Sequence, residues 1–406
     1  MRYVTLKRFH FLIIVVGFLS CKEKAYVEIT NITDHSVSDK LITFNKSDFQ
    51  IDNNQFIVFQ DKSGIEVPAQ FIDSNEDGKW EEVAILATIN GNEKQRYFYK
   101  PSDIKGNYSP RTQAYLGLSE TRNGTFVSAN GHVRPKDHVA QSKPYIYQYE
   151  GPGWESDRVA FRTYFDSRNG RDIFGKTTDR MVTNEIGLED SYHELQEWGM
   201  DILKVNNSLG AGALAMLKGD SLYRLGDTER AEVKILENGP IMSQLSLDYD
   251  GWVVAGDTYN IRDKISIYAG QRWYLSEVTL ENGNDADTLV TGIVNLHDIK
   301  GESFEYKGHQ VLYSHGVQSY IEDMLGMAVV VPNANFAGFG SAPNVGDGVT
   351  YTHTAMLQPS NGTYTYYFYA GWEKENTGFK DKDFFIEQIK VAIDGMTAEV
   401  TKEIRQ

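Results

Sequence analysis

Trp154-Glu155-Ser156-Asp157-Arg158-Val159-Ala160-Phe161-Arg162-Thr163-Tyr164-Phe165-Asp166 reads as a strand with two unlike faces. Side chains alternate across a strand, so Val159, Phe161, Thr163 and Phe165 share an apolar face. Arg158, Ala160, Arg162, Tyr164 and Asp166 share the other. A period of two carried by β-branched and aromatic residues marks a sheet. The same texture recurs at 56–59, 96–99, 258–268, 273–280 and 363–369, with turn residues such as Asn282-Gly283 and Asn361-Gly362 between. The chain therefore reads as all-β, a sandwich or barrel-like architecture. The spacing of Phe385, Ile389 and Ala392 predicts a helix over 384–393. A loop-rich stretch with Gly106, Asn107, Pro110 and Gly117 predicts a small N-terminal β domain over 21–115 and a larger domain over 116–406.

Charge narrows the function. The 406 residues carry 56 Asp and Glu against 40 Lys and Arg, a net charge of -16, which argues against a nucleic-acid binder. One Cys excludes a disulfide framework and a cysteine zinc cluster. Arg2, Lys7 and Arg8 precede the apolar run Phe11 to Leu19, which has the form of a signal-peptide core and is too short to span a membrane. Ser20-Cys21 then resembles a bacterial lipobox, after which Cys21 would be the lipidated N-terminus. Ordinary secretion with cleavage nearby is the plainer alternative. Loss of residues 1–20 takes the charge from -16 to -19, and the expectation is an outer-membrane lipoprotein, held by its lipid and facing the periplasm or the cell surface.

Against that acidic field, residues 158–180 hold Arg158, Arg162, Arg168, Arg171, Lys176 and Arg180 but only Asp166, Asp172 and Asp179. Two arginines four apart on a strand lie about 13 Å apart, near the reach of two linked sugars. An arginine face beside tryptophan suits a carboxylated or sulfated sugar: guanidinium forks hold the anion and rings pack on the pyranose. An ion-pair ladder on a sheet face would use the same residues. The second dense segment, Ser191 to Lys204, gathers Tyr192, His193, Trp198, Asp201 and Lys204 without regular periodicity, as functional loops do. His297, His315 and His353 are dispersed in sequence.

Other motifs carry less. Asp73-Ser74-Asn75-Glu76-Asp77-Gly78 starts like a calcium loop, but Ala84 stands where the bidentate Glu belongs. Glu81 and Glu82 could serve a looser site; a tight acidic turn is the favoured reading. Gly210-Ala211-Gly212-Ala213-Leu214-Ala215 matches a dinucleotide fingerprint in letter only, because no βαβ unit surrounds it; it reads as glycines permitting close backbone approach.

Trp154 to Arg162, Tyr192-His193, Gly199 to Lys204 and Ser208 to Gly212 together resemble a family of bacterial lipoproteins carrying a domain of unknown function and encoded in polysaccharide-utilisation loci. Over most of the mature chain the sequence is similar to the ulvan-oligosaccharide dehydratases of such loci, with Tyr367 to Trp372 as a C-terminal signature. The resemblance implies a β-supersandwich related to galactose mutarotase and polysaccharide lyase domains. It also implies removal of water from a terminal glucuronic or iduronic acid, leaving a 4,5-unsaturated residue.

That chemistry assigns roles. Arg158 or Arg162 would neutralise the substrate carboxylate, and His193 would serve as base or acid. Tyr192 or Tyr164 would take the complementary role, with Lys204 and Asp201 tuning charge. Trp154, Trp198 and Trp372 would be sugar platforms, and Glu155 and His353 further substrate contacts. No cofactor is required, although a divalent metal could replace an arginine. A polysaccharide lyase, a non-catalytic glycan-binding lipoprotein, or a hydrolase using Glu155 and Asp157, or Glu194 and Asp201, are the alternatives.

Overall fold

The computed structural model describes residues 24–406 except 76, 122–123, 140–145, 190, 285 and 347. The leader over 1–20 and Cys21 lie outside the described residues. The fold is all-β and of sandwich type, with one α-helix among the described residues. A long antiparallel sheet of nine strands runs from Gly131–Val133 at one edge to Glu302–Tyr306 at the other. Two five-stranded sheets accompany it. One holds Gly199–Asp201, Arg171–Lys176, Val159–Thr163, Gly153–Ser156 and Thr112–Tyr115, in that order. The other is centred on Thr288–Val294.

A single apolar core joins all three. It takes Trp154, Phe161 and Ile173 from the first small sheet, Met216, Leu289 and Leu357 from the second, and Leu247, Ile265, Tyr274 and Phe368 from the long sheet. Alternation within Val159–Thr163 follows expectation: Val159 and Phe161 enter this core, while Ala160 faces away into a separate cluster. The outer face is not solvated. The described residues of the 177–198 segment cross it, and Val182, Ile186, Tyr192 and Trp198 cover Ala160 and Phe174. Val159–Thr163 and Arg171–Lys176 are thus buried on both faces, which is uncommon for antiparallel strands.

A buried ion pair sits in the main core. Arg171 is 3 % exposed and pairs with Asp263 of the long sheet. It also donates to the Tyr274 hydroxyl at 3.0 Å, the Tyr366 hydroxyl at 2.6 Å and the Gly212 carbonyl at 3.1 Å. The Gly210–Gly212 turn reaches this clasp because both glycines adopt positive φ, and a Cβ on Gly210 would stand 2.1 Å from the Arg171 carbonyl oxygen. The glycine pattern therefore serves close backbone approach.

The helix Lys382–Thr397 is longer than expected and is capped by Asp381, whose side chain accepts from Phe384 N at 2.8 Å. Phe385, Ile389 and Ile393 bury its face against Trp273, Val311, Val330 and Tyr369 on the outer side of the long sheet. The N-terminal β domain has its own core around Phe44, Phe59, Ile85 and Tyr97. Its five-stranded sheet includes Val400–Arg405, antiparallel to Tyr26–Asn31. The expected division at residue 115 differs from the strand pairing twice: Thr112–Tyr115 pairs with Gly153–Ser156, and the last strand joins the N-terminal sheet across a sequence distance that leaves no local signal. Asp73, Asp77 and Gly78 lie in the turn between Ala69–Ile72 and Glu82–Ile89. Asp73 there accepts from Asp77 N at 3.1 Å and Gly78 N at 2.8 Å.

Replacing Asp263 by Leu alone strands a buried guanidinium. The expected loss is about 3–5 kcal/mol of unfolding free energy, read from urea denaturation. Arg171→Met together with Asp263→Leu should recover part of it.

Candidate functional site

Asp172 follows Arg171 and so points to the opposite face of the strand. There it meets Arg162, which is 1 % exposed. Arg162 donates to Asp172 Oδ2 through Nε at 3.1 Å and Nη2 at 2.7 Å, and to Asp201 Oδ2 at 2.7 Å. Its remaining donors reach the Tyr149 carbonyl at 3.1 Å, the Tyr164 hydroxyl at 3.1 Å and the Tyr192 hydroxyl at 3.4 Å. Tyr164 itself donates to Asp172 at 2.5 Å. The guanidinium lies over the rings of Tyr164, Phe174 and Tyr192 at 4.7, 5.0 and 5.2 Å. This is a saturated charged floor.

Residues 177–198 bring Tyr192 and His193 onto that floor. The start of the segment is held by Glu155, which is fully buried and paired with Lys176 at 2.6 Å. Glu155 also accepts from Val182 N, Thr183 N and the Thr183 hydroxyl, each at 2.7 Å. Farther along, Asp201 N donates to the Tyr192 carbonyl at 2.8 Å. His193 is half-exposed, with Nδ1 3.5 Å from Asp201 Oδ2 and its ring stacked on Tyr320 at 5.7 Å. Tyr320 belongs to a separate segment, fixed by its N–H to the Ile202 carbonyl at 2.8 Å. The Lys204 ammonium lies 4.9 Å over the Tyr320 ring. It is exposed and in no ion pair among the described residues.

The electrostatics follow from the burial. Desolvation, then the Arg162 charge, pushes the His193 pKa below the ordinary 6.5, so its imidazole is neutral at neutral pH. Desolvation raises Tyr192 and Tyr164, keeping both hydroxyls protonated. Burial and then neighbouring Asp172 push Asp201 well above the usual carboxylate range. A neutral base and a protonated acid therefore stand side by side, next to the Tyr320 ring and the exposed Lys204 over it.

Residues 29–401 match the family model described as a domain of unknown function, DUF4861. The chain belongs to this family. No curated protein matches it. Among solved structures, it is similar to an α-mannosidase from Enterococcus faecalis V583, with 7 % identity and a TM-score of 0.47 over 95 % of this chain and 46 % of that one. It is likewise similar to a glycosyl hydrolase family 38 protein from Enterococcus faecalis, with 8 % identity and a TM-score of 0.45 over 95 % and 48 %. The chain spans about half the length of each.

In this DUF4861 chain, Arg162, Tyr164, Tyr192, His193 and Asp201 converge, with Lys204 at the rim. Other expected site residues stand elsewhere. Arg158 occupies the turn before its strand and faces Glu375, 3.9 Å away, because the strand begins only at Val159. Trp154 is fully buried between Phe161 and Tyr274, and so is core rather than a sugar platform. Glu155 is sealed beneath the 177–198 segment, out of a substrate's reach. Asp157 is tied to Arg111. Trp198 packs edge-on against Phe174. Trp372 is 3 % exposed, and its indole N–H donates to Asp323 at 2.8 Å, which in turn bonds Ser319 beside Tyr320. It supports the site from behind. His353 bonds the Ile299 carbonyl at 2.8 Å, and His315 bonds that of Phe379 at 2.8 Å, so these histidines do not join the cluster.

Sequence reasoning passed over Glu150 and Tyr320, and it counted Arg168 and Asp172 only as charges of the 158–180 window. Glu150 stands 3.7 Å from Arg162 and 2.8 Å from Arg168. It is placed by positive φ at both Tyr149 and Glu150. The flanking glycines were the available signal: a Cβ on Gly151 would lie 2.0 Å from the Thr163 carbonyl oxygen. Among the described residues, three carboxylates able to converge on a metal occur at Asp73, Asp77 and Glu81, in the N-terminal domain.

Glu155→Gln should loosen the 177–198 segment. Hydrogen exchange at Val182 and Thr183 is expected to quicken before that of the sheet.

Proposed function

We propose that this chain processes acidic carbohydrate, removing water from the non-reducing-end glucuronic or iduronic acid of ulvan-type oligosaccharides. The observation that carries the reading is the pairing of neutral His193 with protonated Tyr192 above the Arg162 floor. The sugar carboxylate pairs with Lys204, since Arg162 is fully engaged by its two aspartates and Arg158 lies outside the cluster. The pyranose ring packs on Tyr320. His193 takes the C5 proton, the C5–H electrons form the C4=C5 bond, and the 4-hydroxyl departs as water with a proton from Tyr192. The saturated floor holds Tyr192 in place and keeps His193 unprotonated. The same reading tethers the chain to the bacterial outer membrane through lipid on Cys21.

A two-carboxylate hydrolase fits less well, because Asp172, Asp201 and Glu150 are all directed at Arg162 and Glu155 is sealed.

Uronate-terminated ulvan oligosaccharides incubated with the protein should gain the ultraviolet absorbance of a conjugated enoate and lose one water in mass. Chain cleavage instead would identify a lyase, and binding without chemical change a glycan-binding protein. His193→Ala and Tyr192→Phe should each lower kcat by about 10²–10⁴-fold. Lys204→Ala should act mainly on KM. Because His193 must be neutral to act, the rate falls as pH drops through its pKa. With that pKa depressed, the acid limb should lie below 6.5.

A further inference from the structure

A cavity of about 450 Å3, sharing no lining residue with the His193 cluster, opens where the N-terminal domain, the outer face of the long sheet and the Lys382–Thr397 helix meet. Its size falls in the range of small-molecule sites, about 300–1,000 Å3. Four aromatic side chains, Tyr268, Trp273, Tyr367 and Tyr369, line the sheet side.

The charged groups at its wall are already engaged. Asp39 accepts from Arg111 at 3.1 and 3.0 Å, and the Lys40 ammonium caps the helix by donating to the Gly395 carbonyl at 2.7 Å. Arg272 pairs with Glu375 at 2.8 Å. Burial lowers the Lys40 pKa, a sign that this wall is already poorly hydrated. By contrast, the side chains of Ser38, Gln271 and Gln388 line the cavity and make no hydrogen bond among the described residues.

Aromatic side chains with free hydroxyl and amide groups, beside an Asp39 paired with Arg111 and a Lys40 ammonium already donating to the last helix carbonyls, suit a ligand that has apolar C–H faces and neutral hydroxyls at its edge. We infer that this cavity is a second binding site, for a neutral pyranoside of one or two sugar units. It is independent of the His193 reading, whose ligand is an acid. The cavity wall nonetheless abuts the site's scaffold. The Gln271 carbonyl accepts from the Ser156 hydroxyl at 2.6 Å, and Gly270 N donates to Asp157 at 2.6 Å, at the end of the strand that carries Glu155.

Gly395 supplies a clean test. It is helical, lines the cavity, and a Cβ there meets nothing within 4 Å, so Gly395→Phe fills space without a backbone clash. Calorimetric titration of the full chain with cellobiose, xylobiose and maltose should find 1:1 binding of at least one. Binding should be lost in Gly395→Phe, weakened about tenfold in Gln388→Ala, and unchanged in His193→Ala. A cooperative thermal melt confirms folding; should Gly395→Phe fail it, Gln388→Ala decides. The inference is overturned if none of the three disaccharides binds. It is equally overturned if binding persists undiminished in the folded cavity variants, or if it disappears with His193. Loss of dehydration activity with disaccharide binding intact would count against the His193 reading alone.

Discussion

The strand Arg171–Lys176 carries a guanidinium on one face and a carboxylate on the other, and both are buried. Arg171 ties the small sheet to Asp263 across the main core, while Asp172 accepts Arg162 under the functional loop. A one-residue slip of this strand would exchange the two faces, placing a lone carboxylate in the core and an arginine against Arg162. Each arrangement would cost several kcal/mol in uncompensated charge. The same constraint that joins the sheets therefore fixes the floor of the site.

The local field differs from the field of the whole molecule. The chain is strongly acidic, yet its buried arginines are almost all consumed by aspartates and tyrosines. At this cluster, what remains for a ligand among the described residues is the exposed Lys204 over Tyr320, with the half-exposed His193 stacked on the same ring. Screening over roughly 8 Å at physiological salt makes these near groups matter more than the distant total. The saturation of Arg162 is useful in itself. A guanidinium with no donor to spare cannot capture substrate, but it holds Tyr192 by its hydroxyl and disfavours a second positive charge on His193.

Periodicity made the architecture legible. Val159 and Phe161 alternate with Ala160 and Arg162 as the pattern required, and the helix lies where Phe385 and Ile389 placed it. The Tyr192-His193 and Asp201–Lys204 stretches were legible as a site because they combine chemistry with irregular backbone. Composition alone could not say which face a tryptophan would take. Trp154 sits on the core-facing side with Phe161, and only the pairing of the two strands reveals that. Nor could spacing show that Arg158 precedes its strand and turns toward Glu375. Asp172 was hidden by being counted as a charge instead of as the partner of Arg162. Tyr320 was hidden because it comes from a segment more than a hundred residues away. Contacts of that range leave no mark in a single sequence.

The pairing of Val400–Arg405 with Tyr26–Asn31 has a temporal consequence. During synthesis the first strand emerges with one edge already able to pair and the other waiting for the final residues. Until those arrive, a row of backbone donors and acceptors stands open on an otherwise complete sheet, a template for pairing with another chain. The Tyr26–Asn31 edge is thus covered by a strand made much later than itself. In the finished sheet the open edge is this late strand itself, and its exposed Lys402, Glu403 and charged Arg405 oppose pairing with another chain.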